Sequence, residues 1–162
     1  MNLEHQRKDL IEELGVHMEG DNLAPLAARI LSTLILSGKK GVTFDELVKE
    51  LQAGKSTIST HLDHLQNTNR VRYFTKSGDR KRYFIIDPDF IVNVIDEMIN
   101  KWENEKKLHL KIKKYKQQHN IQAEKTGEFQ FDIEFQDDFL TFLEETSTAV
   151  KKFKAKLNSR NN

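Results

Sequence analysis

The chain has 162 residues, of which 37% are hydrophobic and 31% charged, with a net charge of +1 and no cysteine. That length suits one domain, or one domain with an appendage, and the missing cysteines exclude disulfides, thiolate metal sites and thiol redox sensing. The N-terminal stretch MNLEHQRKDLIEEL has no signal-peptide core, and the apolar region from Leu23 to Leu36 is broken by Pro25, Arg29, Ser32 and Thr33, so a cytoplasmic protein with no membrane partner is expected.

Two prolines and seven glycines point to a mostly helical chain. Leu3, Leu10, Ile11, Leu14 and Met18 recur at helical spacing, predicting an amphipathic helix over 3–18. Gly20-Asp21-Asn22 ends it. A second helix, 24–37, carries Pro25 in its first turn and an apolar face through Leu26, Ile30, Leu31, Leu34 and Ile35. Residues 38–41 read as a turn. Thr43 and Glu46 form a capping-box pattern that opens a helix over 44–52. After Ala53-Gly54, Ile58, Leu62 and Leu65 mark another helix, 55–66. Two short helices joined by a glycine-containing break are a helix-turn-helix signature.

Val71 to Phe74 and Arg82 to Ile86 read as two strands, with Ser77-Gly78-Asp79 as their turn. A hairpin directly after a helix-turn-helix makes a wing. Pro88 opens a long helix, roughly 88–117, lined at first by Phe90, Ile91, Val94, Ile95, Met98, Ile99 and Trp102. A polar segment, 118–135, has no clear pattern. A last helix, 137–157, carries Phe139, Phe142, Leu143, Val150 and Phe153. The expected fold is mainly α with a small β-hairpin wing. It divides into an N-terminal helix (1–21), a winged helix-turn-helix (22–87) and a C-terminal helical region (88–162).

Charge is unevenly spread. Residues 39–86 hold ten cations and five anions, a net +5, leaving −4 for the rest. A basic module in an acidic frame is the footprint of a polyanion-binding domain. On the 55–66 helix, burying Ile58, Leu62 and Leu65 puts Ser56, Thr60, Asp63 and Asn67 on the opposite side, flanked by Thr57 and His64, with Ser59 a further candidate contact. Such residues can approach base edges and phosphates in a major groove. Lys55 stands in the first turn, where the helix dipole favours a phosphate. Asp63 on this face would repel one. Within TKSGDRKRYF, residues 75–84, Lys76, Arg80, Lys81 and Arg82 would face a phosphate backbone, their mutual repulsion relieved by binding. Solvation of a polar helix and a charged turn is the competing explanation, which the joint position of helix and hairpin disfavours.

The run Gly41 to Asp87 resembles the winged-helix domain of MarR-type bacterial regulators. Its hairpin motif, Gly78-Asp79-Arg80-Lys81-Arg82-Tyr83, is similar to that of the GbsR-type branch, whose members regulate osmoprotectant synthesis and transport. The resemblance implies double-stranded DNA as a partner, and recognition helices that usually open on a Ser-type N-cap. Here that place holds Gly54, which leaves one phosphate-holding hydroxyl out. It also implies a small cationic or zwitterionic effector, for which the aromatic faces of Trp102 and Tyr115 are candidates. Core or subunit packing is the competing role for these rings and for Phe129, Phe131 and Phe135.

The apolar stripes are too extended for a monomer to cover. A homodimer is expected, seamed by Leu10, Leu14, Ile91, Ile95, Met98, Trp102, Phe139, Leu143 and Val150. It would read a pseudo-palindromic operator, as a repressor. A protein-binding winged helix is the alternative. His61 and His64 have helical metal-ligand spacing, but nothing completes a set, and no cofactor is expected. His5, His17, His109 and His119 read as surface groups. No nucleophile elbow, phosphate loop or HExxH is present, so enzymatic activity is not expected.

Overall fold

The computed structural model describes residues 2–161. Two units divide the chain, Met1–Phe90 and Ile91–Asn162.

In the first unit, α1 (Leu3–Glu19) is followed by α2 (Pro25–Ile35), a 3-10 turn at Gly38–Lys40, β1 (Val42–Thr43), α3 (Phe44–Leu51), α4 (Lys55–Asn67), β2 (Val71–Thr75) and β3 (Arg82–Ile86). The core is small. Ile30, Leu34, Leu47, Ile58, Leu65, Val71 and Phe84 bring the three central helices and the sheet together. Burial at these sites contributes about 1.5–3 kcal/mol per large aliphatic side chain. Ser32 and Thr33 are also fully buried, and their hydroxyls donate to Ala28 O and Arg29 O, each at 2.8 Å, so neither is orphaned.

The wing has three strands, not the two that periodicity predicts. β1 pairs antiparallel with β3, Val42 opposite Phe84 and Thr43 opposite Tyr83, giving the order β1-β3-β2. A two-residue strand has no periodicity to detect. It is produced by Gly41 (φ +73°), where a Cβ would lie 2.9 Å from that of Tyr83; only glycine lets the chain come this close to β3. Thr43 then serves twice. It ends β1 and caps α3: its Oγ1 accepts from Glu46 N at 3.3 Å, and Glu46 Oε2 accepts from Thr43 N at 2.7 Å. That backbone donation holds the Glu46 carboxyl below its usual range.

α1 packs on α2. Gly15 lies under the Arg29 side chain, where a Cβ would meet Nε at 3.0 Å. Arg29 pairs with Glu19 and, at 3.2 Å, with Glu12. Arg7 pairs with Glu50 on α3 and donates to Ser37 Oγ at 3.2 Å. α1 is thus tied by two arginines to the helices that carry the helix-turn-helix.

The second unit holds the length of α5 (Pro88–Thr126) from Ile91 onward and α6 (Glu134–Asn161). The expected end of α5 at 117 is wrong by more than two turns. Residues 118–126 are helical because they are packed, not because they are amphipathic: Asn120 Nδ2 donates to Phe131 O and its Oδ1 accepts from Phe131 N, both at 2.8 Å. Lys116 donates to Asp132 O at 3.2 Å and to Gln136 Oε1 at 2.8 Å. Only residues 127–133 form the connection, and α6 starts earlier and ends later than periodicity predicts.

α5 and α6 run antiparallel, and complementary charge blocks set their register. Pairs link Asp96 to Lys154, Glu103 to Lys151, Lys106 to Glu144 and Lys113 to Asp137. The acidic first half of α5 meets the basic end of α6, and the lysine-rich middle of α5 meets the acidic start of α6. His109 and His119 are half-buried here rather than surface groups. His109 packs 4.4 Å from the Phe139 ring and His119 4.8 Å from Phe131, and Nδ1 of each is sealed from solvent.

Candidate nucleic-acid interface

Gln52 (φ 48°), not Gly54, adopts the left-handed conformation that ends α3. Gly54 is the N-cap of α4, with no side-chain cap hydrogen bond. The first-turn amides of α4 therefore have no capping side chain, and Lys55 adds its charge to that end.

α4 is held by Ile58, Leu62 and Leu65, all at most 2% exposed. Their burial turns Lys55, Ser56, Thr57, Ser59, Thr60, Asp63 and His64 outward, and all seven are exposed. The hydroxyls are not equivalent. Thr60 Oγ1 donates to Ser56 O at 2.9 Å, so its proton is engaged within the helix. Ser56, Thr57 and Ser59 have no side-chain hydrogen bond among the described residues. His61 is half-buried, three residues from exposed His64, and among the described residues no group of three or more potential ligands could hold a metal ion.

In the hairpin, β2 and β3 pair from Val71 opposite Ile86 to Thr75 opposite Arg82. Arg82 is therefore the first residue of β3, and only Arg80 and Lys81 of the basic triplet stand in the turn. That turn is built by Asp79. Its Oδ1 accepts from Lys81 N at 2.9 Å and its Oδ2 from the Tyr83 hydroxyl at 2.7 Å. The donated amide, and then the phenol, hold the Asp79 carboxyl below its usual range, and the same contact raises the Tyr83 phenol.

The cations are arranged in two ways. Lys76 Nζ lies 3.9 Å from the centroid of the Tyr83 ring, and the Arg82 guanidinium 4.6 Å from that of Tyr73. Arg80 and Lys81 are exposed and have no such ring. None of Lys55, Lys76, Arg80, Lys81 and Arg82 forms an ion pair among the described residues. The sequence motif includes Tyr83, but sequence reasoning gave neither it nor Tyr73 a cation to hold. The signal was present in the alternation of the strands, which puts Tyr73 and Arg82 on one face of the ribbon.

A cleft of about 400 Å³ separates the start of α3, the α4 face and the wing. Ser59, Gln66, Arg80, Lys81 and Arg82 line it, together with Asp45 and Asp63. One hydroxyl of the α4 face, that of Ser59, thus borders the same concave surface as the cationic hairpin, within a single unit.

The residues expected at a dimer seam are scattered in exposure. Ile95 and Leu143 are already buried within the chain, at 6% and 2%. Leu10, Ile91 and Met98 are exposed, and Leu14, Trp102, Phe139 and Val150 are half-buried. Trp102 and Tyr115 do not form one aromatic cage: they stand thirteen residues apart on α5, about 20 Å at helical rise.

No protein-family model matches the chain. The HTH-type transcriptional regulator MmpR5 of Mycobacterium tuberculosis is 28% identical over 89 residues, covering 55% of this chain and 54% of that protein. The HTH-type transcriptional repressor GbsR of Bacillus subtilis is 36% identical over 64 residues, 40% of this chain and 36% of that protein. The chain thus matches about half the length, or less, of these curated relatives. A crystal structure of a transcriptional regulator shares the fold, with a TM-score of 0.53 at 19% identity over 95% of this chain and 99% of that one.

Proposed function

We propose that this chain, a winged helix-turn-helix regulator of the MarR type, binds double-stranded DNA and controls transcription as a homodimer. One observation carries the reading: a helix face with unengaged hydroxyls at Ser56, Thr57 and Ser59 stands beside a hairpin whose cations have no carboxylate partner among the described residues. Phosphate contacts from Lys55, Lys76, Arg80, Lys81 and Arg82 supply affinity and register. Ser56, Thr57, Ser59 and Thr60 reach base edges, with His64 at the margin. Two α4 helices, one per protomer, enter successive major grooves of a pseudo-palindromic operator.

The exposed apolar residues of α1 and α5, with Leu10, Ile91 and Met98 foremost, are the faces a second protomer covers. The similarity to a curated repressor favours repression by occupancy. A soluble cytoplasmic regulator fits the described helices, none of which is long and apolar enough to cross a membrane. A small-molecule effector, if it acts through the second unit, has Tyr115 as its more accessible aromatic face, at 61% exposure.

The test is selection of duplexes by the full chain from a random-sequence pool, followed by sedimentation with the winning duplex. A selected palindrome with half-sites one helical turn apart, and two protomers bound per duplex, is expected. Failure to enrich any sequence, with no salt-dependent affinity for duplex DNA, would overturn the reading.

A further inference from the structure

The hairpin residues 71–86 contain five cations, Arg72, Lys76, Arg80, Lys81 and Arg82, and one carboxylate, Asp79. A carboxylate is the ordinary device for fixing a long cationic side chain, but it also cancels the charge that a phosphate would meet. Asp79 is not used in that way. Both its oxygens are occupied, by the Lys81 amide and the Tyr83 hydroxyl, and it makes no ion pair with any of the five. Fixing falls instead to two rings. An aromatic face attracts a cation through its quadrupole and leaves the formal charge in place.

The two stacks are locked to the fold to different depths. Tyr73 sits opposite Phe84 in the ladder and meets it edge-on, with ring centroids 6.0 Å apart; Phe84 is 5% exposed and belongs to the core. Tyr73 itself is 43% exposed, so one side of the ring leans on the core while Arg82 is stacked over it. Tyr83 stacks on Phe74 with centroids 5.5 Å apart, holds Asp79 through its hydroxyl and carries Lys76 over its ring.

We propose that Tyr73 and Tyr83 are positioning residues for DNA binding, which hold Arg82 and Lys76 in place without neutralising them, and so divide the five wing cations into two held by rings and three, Arg72, Arg80 and Lys81, held by neither ring nor carboxylate among the described residues. This rests on the DNA-binding reading of the same surface. The fixed pair gives the wing its register on the duplex, because their ordering cost is met in the free protein. Arg80 and Lys81 adapt to whichever phosphates lie nearby and contribute sequence-independent affinity.

The experiment is a double-mutant cycle on the full chain, with the duplex it selects from a random pool as probe. Tyr73→Leu keeps an apolar side chain against Phe84 and removes the π face; Tyr73→Phe keeps both. Tyr73→Leu is expected to weaken binding about two- to fivefold, and Tyr73→Phe to bind like the natural chain. In an Arg82→Ala background, Tyr73→Leu should have no further effect, since the residue it positions is gone. An equal loss from Tyr73→Leu in both backgrounds would assign Tyr73 a general structural role and overturn the inference, while leaving the DNA-binding reading intact. Unchanged affinity in Arg82→Ala alone would overturn the inference by removing Arg82 from the contact surface. Absence of all duplex binding by the natural chain would sink the functional reading itself.

Discussion

The Tyr83 hydroxyl donates to Asp79 Oδ2 at 2.7 Å, spanning the turn of the wing from the first residues of its returning strand. With the Lys81 amide donating to Oδ1, both oxygens of Asp79 tie the loop that carries Arg80 and Lys81 to the residues that follow it. Its pH range follows from the two shifts. The Asp79 carboxyl is lowered, so its contribution is present above the ordinary value of 3.8 and is lost as pH falls through the folded value. The Tyr83 phenol is raised, so its contribution is present below 10.0 and is lost as pH rises through the folded value. Across neutral pH the turn is fully closed. Asp79→Asn should return the Tyr83 phenol towards the ordinary tyrosine range, read by NMR titration of the tyrosine ring carbons. A Tyr83 phenol that titrates alike in both proteins would break the assignment.

Arg80 and Lys81 have neither ring nor carboxylate to engage them, and changing both to Ala should weaken binding to all duplexes alike. The log–log slope of affinity against salt should flatten by about one unit for each phosphate that is no longer neutralised. A gel-shift series over salt concentration reads both quantities, and an unaltered slope would take the turn out of the interface.

Thr57 and Thr60 should separate. The Thr60 proton is engaged with Ser56 O, leaving that hydroxyl as an acceptor only, whereas Thr57 can donate or accept. Thr57→Ala is expected to relax specificity at one or two base pairs, costing roughly 1–3 kcal/mol there. Thr60→Ala should cost less. Affinities measured across a panel of single-base operator variants decide this, and a uniform loss for Thr57→Ala would make it a phosphate contact.

Thr43→Ala removes the hydroxyl that caps α3 and should lower stability by about 1 kcal/mol. The Glu46 carboxyl is lowered first by the Thr43 amide, which Ala keeps, and also by the Thr43 hydroxyl, which donates to Glu46 Oε2 at 2.9 Å and is lost in Ala; the hydroxyl's share is present above 4.5 and fades as pH falls through the folded value. Urea unfolding of the two proteins at neutral and at acid pH should show their difference shrinking in acid. A constant gap would assign the effect to the bond that the hydroxyl accepts from the Glu46 amide, and none of it to the carboxylate.

In the second unit, Leu143 is 2% exposed within a single chain. Leu143→Ala should cost about 2–5 kcal/mol through the cavity it leaves, and Leu143→Asp should unfold this unit, because the buried carboxylate has no partner. The ion pairs around it matter less individually. Reversing Lys154 to Glu should cost within about 1 kcal/mol, and reversing Asp96 to Lys in the same chain should restore it. Thermal melts of the four proteins test the cycle. A Leu143→Asp chain that melts like the natural one would show that this position is not core.

Much of the first unit was legible in the sequence because its signals are local. The Thr43–Glu46 cap, the Ile58-Leu62-Leu65 spacing and the alternation of the hairpin each specify their element within a few residues, and burying those apolar positions dictates which side chains face outward. The basic footprint is likewise a property of the linear order. Contacts between distant residues decided the rest. β1 exists because Gly41 lets two residues reach β3, some forty positions later. α5 runs to Thr126 because Asn120 and Lys116 hold the connection after it, although the segment lacks an amphipathic pattern. His109 and His119 are half-buried only because α6 returns over them. The division of the wing cations also needed the strand register: a row of positive charges shows what the hairpin attracts, whereas the pairing of Tyr73 with Phe84 and of Thr75 with Arg82 determines which of those charges is held in place.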